Sequence, residues 1–105
     1  MDKKGDKKAE KKGDKKVYFR SRAAIAYSHH SHWYDLQRSG LGAEFELCVD
    51  ASIQQIQRHH GIGTFITKSV RRVLVKRYPF GIYYRNHKDH IEIIGIRHSR
   101  MKPIK

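Results

Sequence analysis

Between residues 70 and 85 the chain reads Val70-Arg71-Arg72-Val73-Leu74-Val75-Lys76-Arg77-Tyr78-Pro79-Phe80-Gly81-Ile82-Tyr83-Tyr84-Arg85, and no other stretch limits the fold as tightly. Branched and aromatic side chains favour extended backbone. Their alternation with basic residues is that of a strand with one buried face. Pro79 has no N–H to give to a ladder, so the first strand ends at residue 78. Two strands, 70–78 and 80–85, are thereby pinched together at Tyr78-Pro79. Asn86-His87-Lys88-Asp89 is a turn by composition, and residues 91–98 form a third strand.

Ahead of this meander the period changes. Residues 17–20 make a short strand, with Tyr18 and Phe19 favouring extended backbone. From Ser21, a candidate N-cap, to Gln37 the pattern is helical. Ala23, Ala26/Tyr27, His30, Trp33/Tyr34 and Gln37 recur at steps of three and four. Gly40 and Gly42 break that helix, with Leu41 between them as a packing plug. A second helix, 43–58, carries Phe45, Val49, Ile53 and Ile56 on one stripe. A short glycine-rich connection predicts an antiparallel helical hairpin. His59-His60-Gly61-Ile62-Gly63 ends it and opens a loop to about residue 68. The order is β-α-α-β-β-β, an α+β fold: an antiparallel sheet with a helical hairpin packed on one face.

The third strand raises a question of partners. By the period-two rule Ile91 and Ile93 face one way, and Ile94 and Ile96 the other. Two helices cover one sheet face only. Either Lys and Arg stems shield the opposite apolar area, or that face is a groove filled by a partner chain.

Charge narrows the partner's chemistry. The 105 residues carry a net charge of +13. Residues 1–16 are an imperfect four-residue repeat of an acid, two lysines and Gly or Ala, contributing +4 and leaving +9 for the remainder. With no apolar side chain larger than alanine after Met1, the repeat cannot bury enough surface to offset chain entropy, which predicts a disordered tail ahead of a single domain from residue 17 to 105. A basic domain expects an anionic partner: nucleic acid, acidic protein or acidic membrane surface. No apolar run approaches the roughly 20 residues of a membrane span, and no signal-peptide core is present. One cysteine, Cys48, excludes an internal disulfide and fits a reducing, cytosolic setting.

Candidate chemistry is sparse. His29, His30 and His32 fall in the first helix, His59 and His60 at the end of the second, and His87 and His90 beside a turn. No carboxylate or cysteine partner is placed to complete a set with His29 and His32, and His87 and His90, flanking a turn, could chelate only by accident, so no metal or cofactor is expected. Cys48 lies near an apolar stripe and reads as a small core residue. A metal-free ribonuclease would need an acid, a base and cations around a phosphate. His98 and Arg100, with Arg71, Arg72, Lys76, Arg77 and Arg85, are the right chemical types. The same cations would serve a plain basic nucleic-acid-binding module.

Three motifs in order resemble one family. Trp33-Tyr34-x3-Arg38-x-Gly40-Leu41-Gly42-x2-Phe45 resembles the helical hairpin of ParE toxins in the RelE/ParE superfamily. Residues 70–85 resemble its sheet core, with an aromatic-Pro-aromatic corner at Tyr78-Pro79-Phe80. Ile94-x-Ile96-x-His98-x-Arg100-x2-Pro103 resembles its closing strand and tail. The resemblance covers about residues 17–103 and implies the β-α-α-β-β-β fold. It further implies the toxin, of the plasmid-stabilisation type, of a type II toxin–antitoxin pair, bound across its sheet by a protein antitoxin. ParE members are associated with blocking DNA gyrase; RelE members cut messenger RNA on the ribosome. The RelE pattern places a catalytic arginine where this chain has Phe80, and a tail tyrosine where it has Pro103, Ile104 and Lys105. The expectation is therefore a gyrase-binding toxin that is not an enzyme, with a ribosome-dependent ribonuclease using His98 and Arg100 as the alternative. Expected target contacts are Arg71, Arg72, Lys76, Arg77, Arg85, His98 and Arg100. Tyr83, Tyr84, Ile94 and Ile96 are the expected antitoxin contacts.

Overall fold

The computed structural model describes residues 15–100 of the chain. The elements are β1 (Lys16–Phe19), α1 (Ser21–Gln37), α2 (Leu41–Arg58), β2 (Thr64–Phe65), β3 (Arg71–Leu74), β4 (Phe80–Asn86) and β5 (His90–His98). They build a five-stranded sheet in the order β1-β5-β4-β3-β2, with both helices on one side. The α+β reading holds. One detail of it is corrected: the sheet is mixed, because β1 pairs parallel to β5 while every other pair is antiparallel. A parallel neighbour requires a long crossover, and the chain supplies one in the helical hairpin and the three strands that separate β1 from β5.

The domain takes in more of the lysine-rich segment than its composition predicts. Lys16 opens β1. Lys15 Nζ donates to Asn86 Oδ1 at 2.7 Å and to the His87 carbonyl at 2.6 Å, while Gln57 donates to the Lys15 carbonyl at 2.7 Å. The rest of the repeat, residues 1–14, and the tail positions Pro103, Ile104 and Lys105 lie outside the described residues.

Helix α1 begins one residue earlier than a Ser21 cap would have it. Arg20 is the N-cap, with no side-chain capping bond. The inward face is the weak stripe read from sequence: Ala23 is buried, Tyr27 and Tyr34 pack on the core, and Trp33 turns outward at 55% exposure. Helix α2 starts at Leu41, with Gly40 as its N-cap at φ 90°, a left-handed conformation that glycine adopts without strain. The two helices meet closely at Gly42, whose N–H donates to Asp35 Oδ1 at 2.7 Å. A Cβ there would come within 2.5 Å of the Ser31 carbonyl oxygen, so a larger residue would push the hairpin apart. Phe45, Val49, Ile53 and Ile56 all enter the core, as their spacing predicts, and Cys48 packs at its edge.

The face assignment on β5 is corrected by a β-bulge. On β4 the alternation is regular, with Phe80, Ile82 and Tyr84 toward the helices. Their partners on β5 are His98, Ile96 and Ile93, and the register shifts between Tyr83 and Tyr84. Gly95 pairs with Tyr83 and Ile93 with Tyr84, so Ile94 is the extra residue. A bulge inserts one residue and reverses the parity of everything beyond it. Ile91, Ile93 and Ile96 therefore all join the helix-side core. Ile94 alone lies on the other face, in a small cluster with Val70, Tyr83 and Ile66.

No described helix is long and apolar enough to cross a membrane. Among the described residues no group of three or more His, Cys, Asp or Glu could hold a metal ion.

Candidate functional site

The basic residues divide among three places. Arg71 points to the helix side of β3 and is committed to structure. Its Nη1 donates to the carbonyls of Gly61 at 2.9 Å and Gly63 at 2.7 Å, and its guanidinium lies 3.7 Å from the centre of the Phe65 ring. Arg71 thus ties down the loop after α2 and leaves the expected contact set.

Arg72 and Arg85 lie on the open face. The register sets Arg72 opposite Tyr83 and Arg85 opposite Glu92. The Arg72 stem runs across Gly81, where a Cβ would come within 3.0 Å of its Cδ. Arg97 pairs with Gly81 from the other side and joins this patch, although sequence reasoning passed over it. Its Nε is the one buried side-chain polar atom among the described residues with no hydrogen-bond partner. The signal was available only through the bulge, which sets which residues of β5 face outward.

Glu92 is the counter-charge of this face. His87 Nε2 approaches its Oε1 at 2.8 Å and Arg20 Nε donates to its Oε2 at 2.6 Å, with Arg85 Nη1 at 4.0 Å. The hydrogen bond from His87, then that from Arg20, holds the Glu92 carboxyl below the ordinary glutamate range. This knot fastens β1 to the β4–β5 hairpin.

The remaining residues gather at the corner between β3 and β4. Lys76 and Arg77 are exposed there. Arg77 has φ 73°, a left-handed conformation costing a residue with a Cβ on the order of 1 kcal/mol. The Ser99 N–H donates to the Pro79 carbonyl at 2.7 Å and brings Arg100 to the same end. His98 projects there too, its ring 5.3 Å from that of Phe80.

Beside this corner lies a groove of about 510 Å³ lined by His30, Trp33, Tyr34, Pro79, Phe80 and His98. The sequence pattern puts His30, Trp33 and Tyr34 on a helix face and Phe80 at the start of the second strand; tertiary packing brings them together. Phe80 is 5% exposed, its ring 4.6 Å from His30, 5.1 Å from Phe45 and 6.2 Å from Tyr34. His30 Nε2 lies 2.9 Å from the Ile96 carbonyl, so Nε2 carries the proton, since a carbonyl can only accept. Burial pushes the His30 imidazole below the usual histidine range, which favours the neutral ring. The Arg100 N–H donates to His98 Nδ1 at 3.1 Å.

The four expected antitoxin contacts are not one surface. Tyr84 and Ile96 are buried on the helix side. The Tyr84 hydroxyl donates to the His60 carbonyl at 2.8 Å and accepts from the Gly63 N–H at 3.2 Å, a fastening for the loop after α2. Only Tyr83 and Ile94 face outward, and both are largely covered, at 3% and 8% exposure. Between the two readings of that face, the apolar area is a small cluster of Val70, Tyr83, Ile94 and Ile66, with Leu74 exposed on the same face.

No family model matches the chain, and no curated protein matches it. A solved structure does: a chain of the "Chromosomal ParDE TA system from P. aeruginosa" superposes with a TM-score of 0.72, at 17% sequence identity, covering 82% of this chain and 97% of that one. The fold of the chain is therefore the ParE-like one that its Gly-Leu-Gly hairpin and Tyr-Pro-Phe corner resemble.

Proposed function

We propose that this chain is the toxin of a type II toxin–antitoxin pair. In this reading it acts by binding a protein target, DNA gyrase, and is held inactive by a protein antitoxin. The observation that carries the reading is the fold likeness to a chain of a ParDE system, which extends over 97% of that chain. The inhibitor form is favoured over the ribonuclease by Phe80. The position that holds a catalytic arginine in RelE-type sequences is here a buried ring wedged among His30, Tyr34 and Phe45. Without a cation at that position, a phosphoryl transition state loses its main charge stabiliser.

In this reading the antitoxin covers the open face around Tyr83 and Ile94, with acidic side chains meeting Arg72, Arg85 and Arg97. The target meets the corner through Lys76, Arg77, His98 and Arg100. Both partners are expected inside the cytoplasm. Induced expression of the chain alone should halt growth. Co-expression of the short protein encoded in the adjacent reading frame should restore it and yield a complex that survives moderate salt, as an interface of well over ~1,200 Å² does. Separation of the two at physiological ionic strength would rule out the bound-antitoxin arrangement.

A further inference from the structure

We propose that the open face of the sheet holds a phosphate dianion, either inorganic phosphate or the terminal phosphate of a small monoester, over Gly81 between Arg72 and Arg97.

The register builds the site. On the face away from the helices Leu74, Gly81 and Arg97 form one row across β3, β4 and β5, and Arg72, Tyr83 and Gly95 form the next. Gly81 puts no side chain into the middle of its row. The Arg72 stem takes that space: a Cβ on Gly81 would come within 3.1 Å of its Cγ and 3.0 Å of its Cδ. Arg72 therefore leans out of its own row across β4, toward the row that ends in Arg97. Two guanidinium-bearing side chains, one from each flanking strand, meet over the same central strand.

No acid among the described residues answers their charge. Glu92, the carboxylate of this face, lies opposite Arg85 toward the far end of β4 and is taken by Arg20, His87 and Arg85. The other ion pairs among the described residues join Arg38 to Glu44 and His90 to Asp89. Like charges gathered on one face repel, and an anion between them turns that repulsion into attraction. Arg97 points the same way independently. Its Nε–H is withdrawn from solvent and meets no acceptor among the described residues, and such a donor in a native protein calls for an ion or a water. The edge formed by Nε and one terminal nitrogen is the fork that grips an oxyanion with two parallel bonds. Turning that edge outward frees the covered donor and brings it to an anion over Gly81 in one movement.

The donors set the charge of the ligand. Two guanidiniums carry two positive charges on planar forks suited to phosphate. A dianion neutralises the pair, whereas a carboxylate or a phosphodiester leaves one charge unanswered. Leu74, 60% exposed at the end of the row, gives an apolar rim on which the organic group of a monoester can lie. The site goes beyond the antitoxin reading: it fills in the free chain, and an acidic partner has to displace the anion.

The full-length protein, labelled with ¹⁵N, is titrated at constant ionic strength well above the second phosphate pKa, about 6 for a monoester, and the arginine Nε–H resonances are followed. Saturable shifts at Arg72 and Arg97 with inorganic phosphate are the expected result. Methyl phosphate separates the two sources: matching affinity assigns the site to monoesters, and affinity about tenfold weaker assigns it to free phosphate. Dimethyl phosphate and acetate, each singly charged, should bind at least about tenfold more weakly than phosphate. Arg97→Gln and Arg72→Gln should each cost about tenfold or more, and Arg22→Gln, at an exposed position on α1, should cost nothing. Gly81→Ala decides the matter because it alters no charge. Its methyl displaces the Arg72 stem and should weaken phosphate about fivefold, with the amide spectrum showing the fold retained. Undiminished binding in Gly81→Ala, or equal affinity for acetate or dimethyl phosphate, would reduce the site to diffuse attraction by a basic surface and overturn the proposal. Shifts that stay linear in phosphate concentration would also overturn it. Growth arrest and antitoxin binding are read separately, so either reading can fail without the other.

Discussion

On the helix side of the sheet Ile82, Tyr84, Ile91, Ile93 and Ile96 lie almost wholly buried beneath two helices. On the other side Tyr83 and Ile94 pack with Val70 and Ile66 alone among the described core residues, on strands that also carry arginines. Both faces belong to the same strands and differ by single-residue alternation. The helix side is closed by hydrophobic area, which is non-directional and contributes most to stability. The open side carries long cationic side chains, such as Arg72 across Gly81, whose stems can lie on apolar surface while their charges stay in water. Stability is thus carried by one set of alternate residues, and the proposed recognition falls on the other set of the same strands. The corner beyond Pro79 departs from both faces, since Phe80 belongs to the core while His98 and Arg100 lead out of it.

The sharpest way to break this comparison is to truncate one side chain on each face. Phe45 is fully buried and contacts the rings of Tyr27, His30, Tyr34, Tyr78 and Phe80. Phe45→Ala should cost about 3–5 kcal/mol in denaturant unfolding, and Ile94→Ala about 2 kcal/mol. Equal losses would mean the open face is as structural as the core.

Glu92 tests the knot that fastens β1 to the hairpin. Its carboxyl is held below the ordinary range by His87 and Arg20. A depressed carboxyl stabilises the fold above its unfolded-state value, near pH 4.3, and that stability is lost as pH falls through the folded-state value. Glu92→Gln should therefore cost about 1 kcal/mol at pH 7. The difference from the parent should vanish in strongly acidic buffer, as thermal melts across pH would record. A difference independent of pH would locate its role in packing.

Arg77 separates stability from recognition in the other direction. Arg77→Gly relieves a left-handed backbone, φ 73°, so unfolding should show a gain of up to about 1 kcal/mol, offset in part by glycine's greater freedom when unfolded. Partner binding should weaken in the same variant. On the open face Arg72→Glu should shift stability by no more than about 0.5 kcal/mol. It should still weaken the proposed antitoxin complex, measured by titration calorimetry, as a reversed charge would if acidic side chains of that partner meet Arg72.

The sequence made the major elements legible because each carried a strong local signal. Helix α1 matches its predicted bounds, 21–37, whereas β3 stops at Leu74, four residues short of the stop at 78 that Pro79 predicts, because the chain turns from Val75 onward. The stripe Phe45, Val49, Ile53 and Ile56 reaches the core intact. What escaped depended on pairing between distant residues. The bulge at Ile94 is such a case: Gly95 beside it is a weak bulge signal, and without it strict alternation sends Ile96 to the wrong face. Two-residue β2 has no period to detect, and parallel pairing of β1 is settled by the neighbour it finds. The groove was illegible for the same reason, since His30 and His98 are 68 positions apart in the chain. The arginines are legible as charge and not as roles: Arg71 is expected as a contact, and its guanidinium fastens a loop.

The central proposal is that this chain acts as a toxin by binding and not by cutting. Its most direct test is gyrase supercoiling of relaxed plasmid in the presence of the purified chain, with translated messenger RNA followed in parallel. The account predicts dose-dependent loss of supercoiling, relieved by the antitoxin and weakened by charge reversal at Lys76 or Arg100, with the messenger RNA intact. Unimpaired supercoiling, together with codon-positioned cuts that His98→Ala or Arg100→Ala abolishes, would contradict it and make the chain a ribosome-dependent ribonuclease.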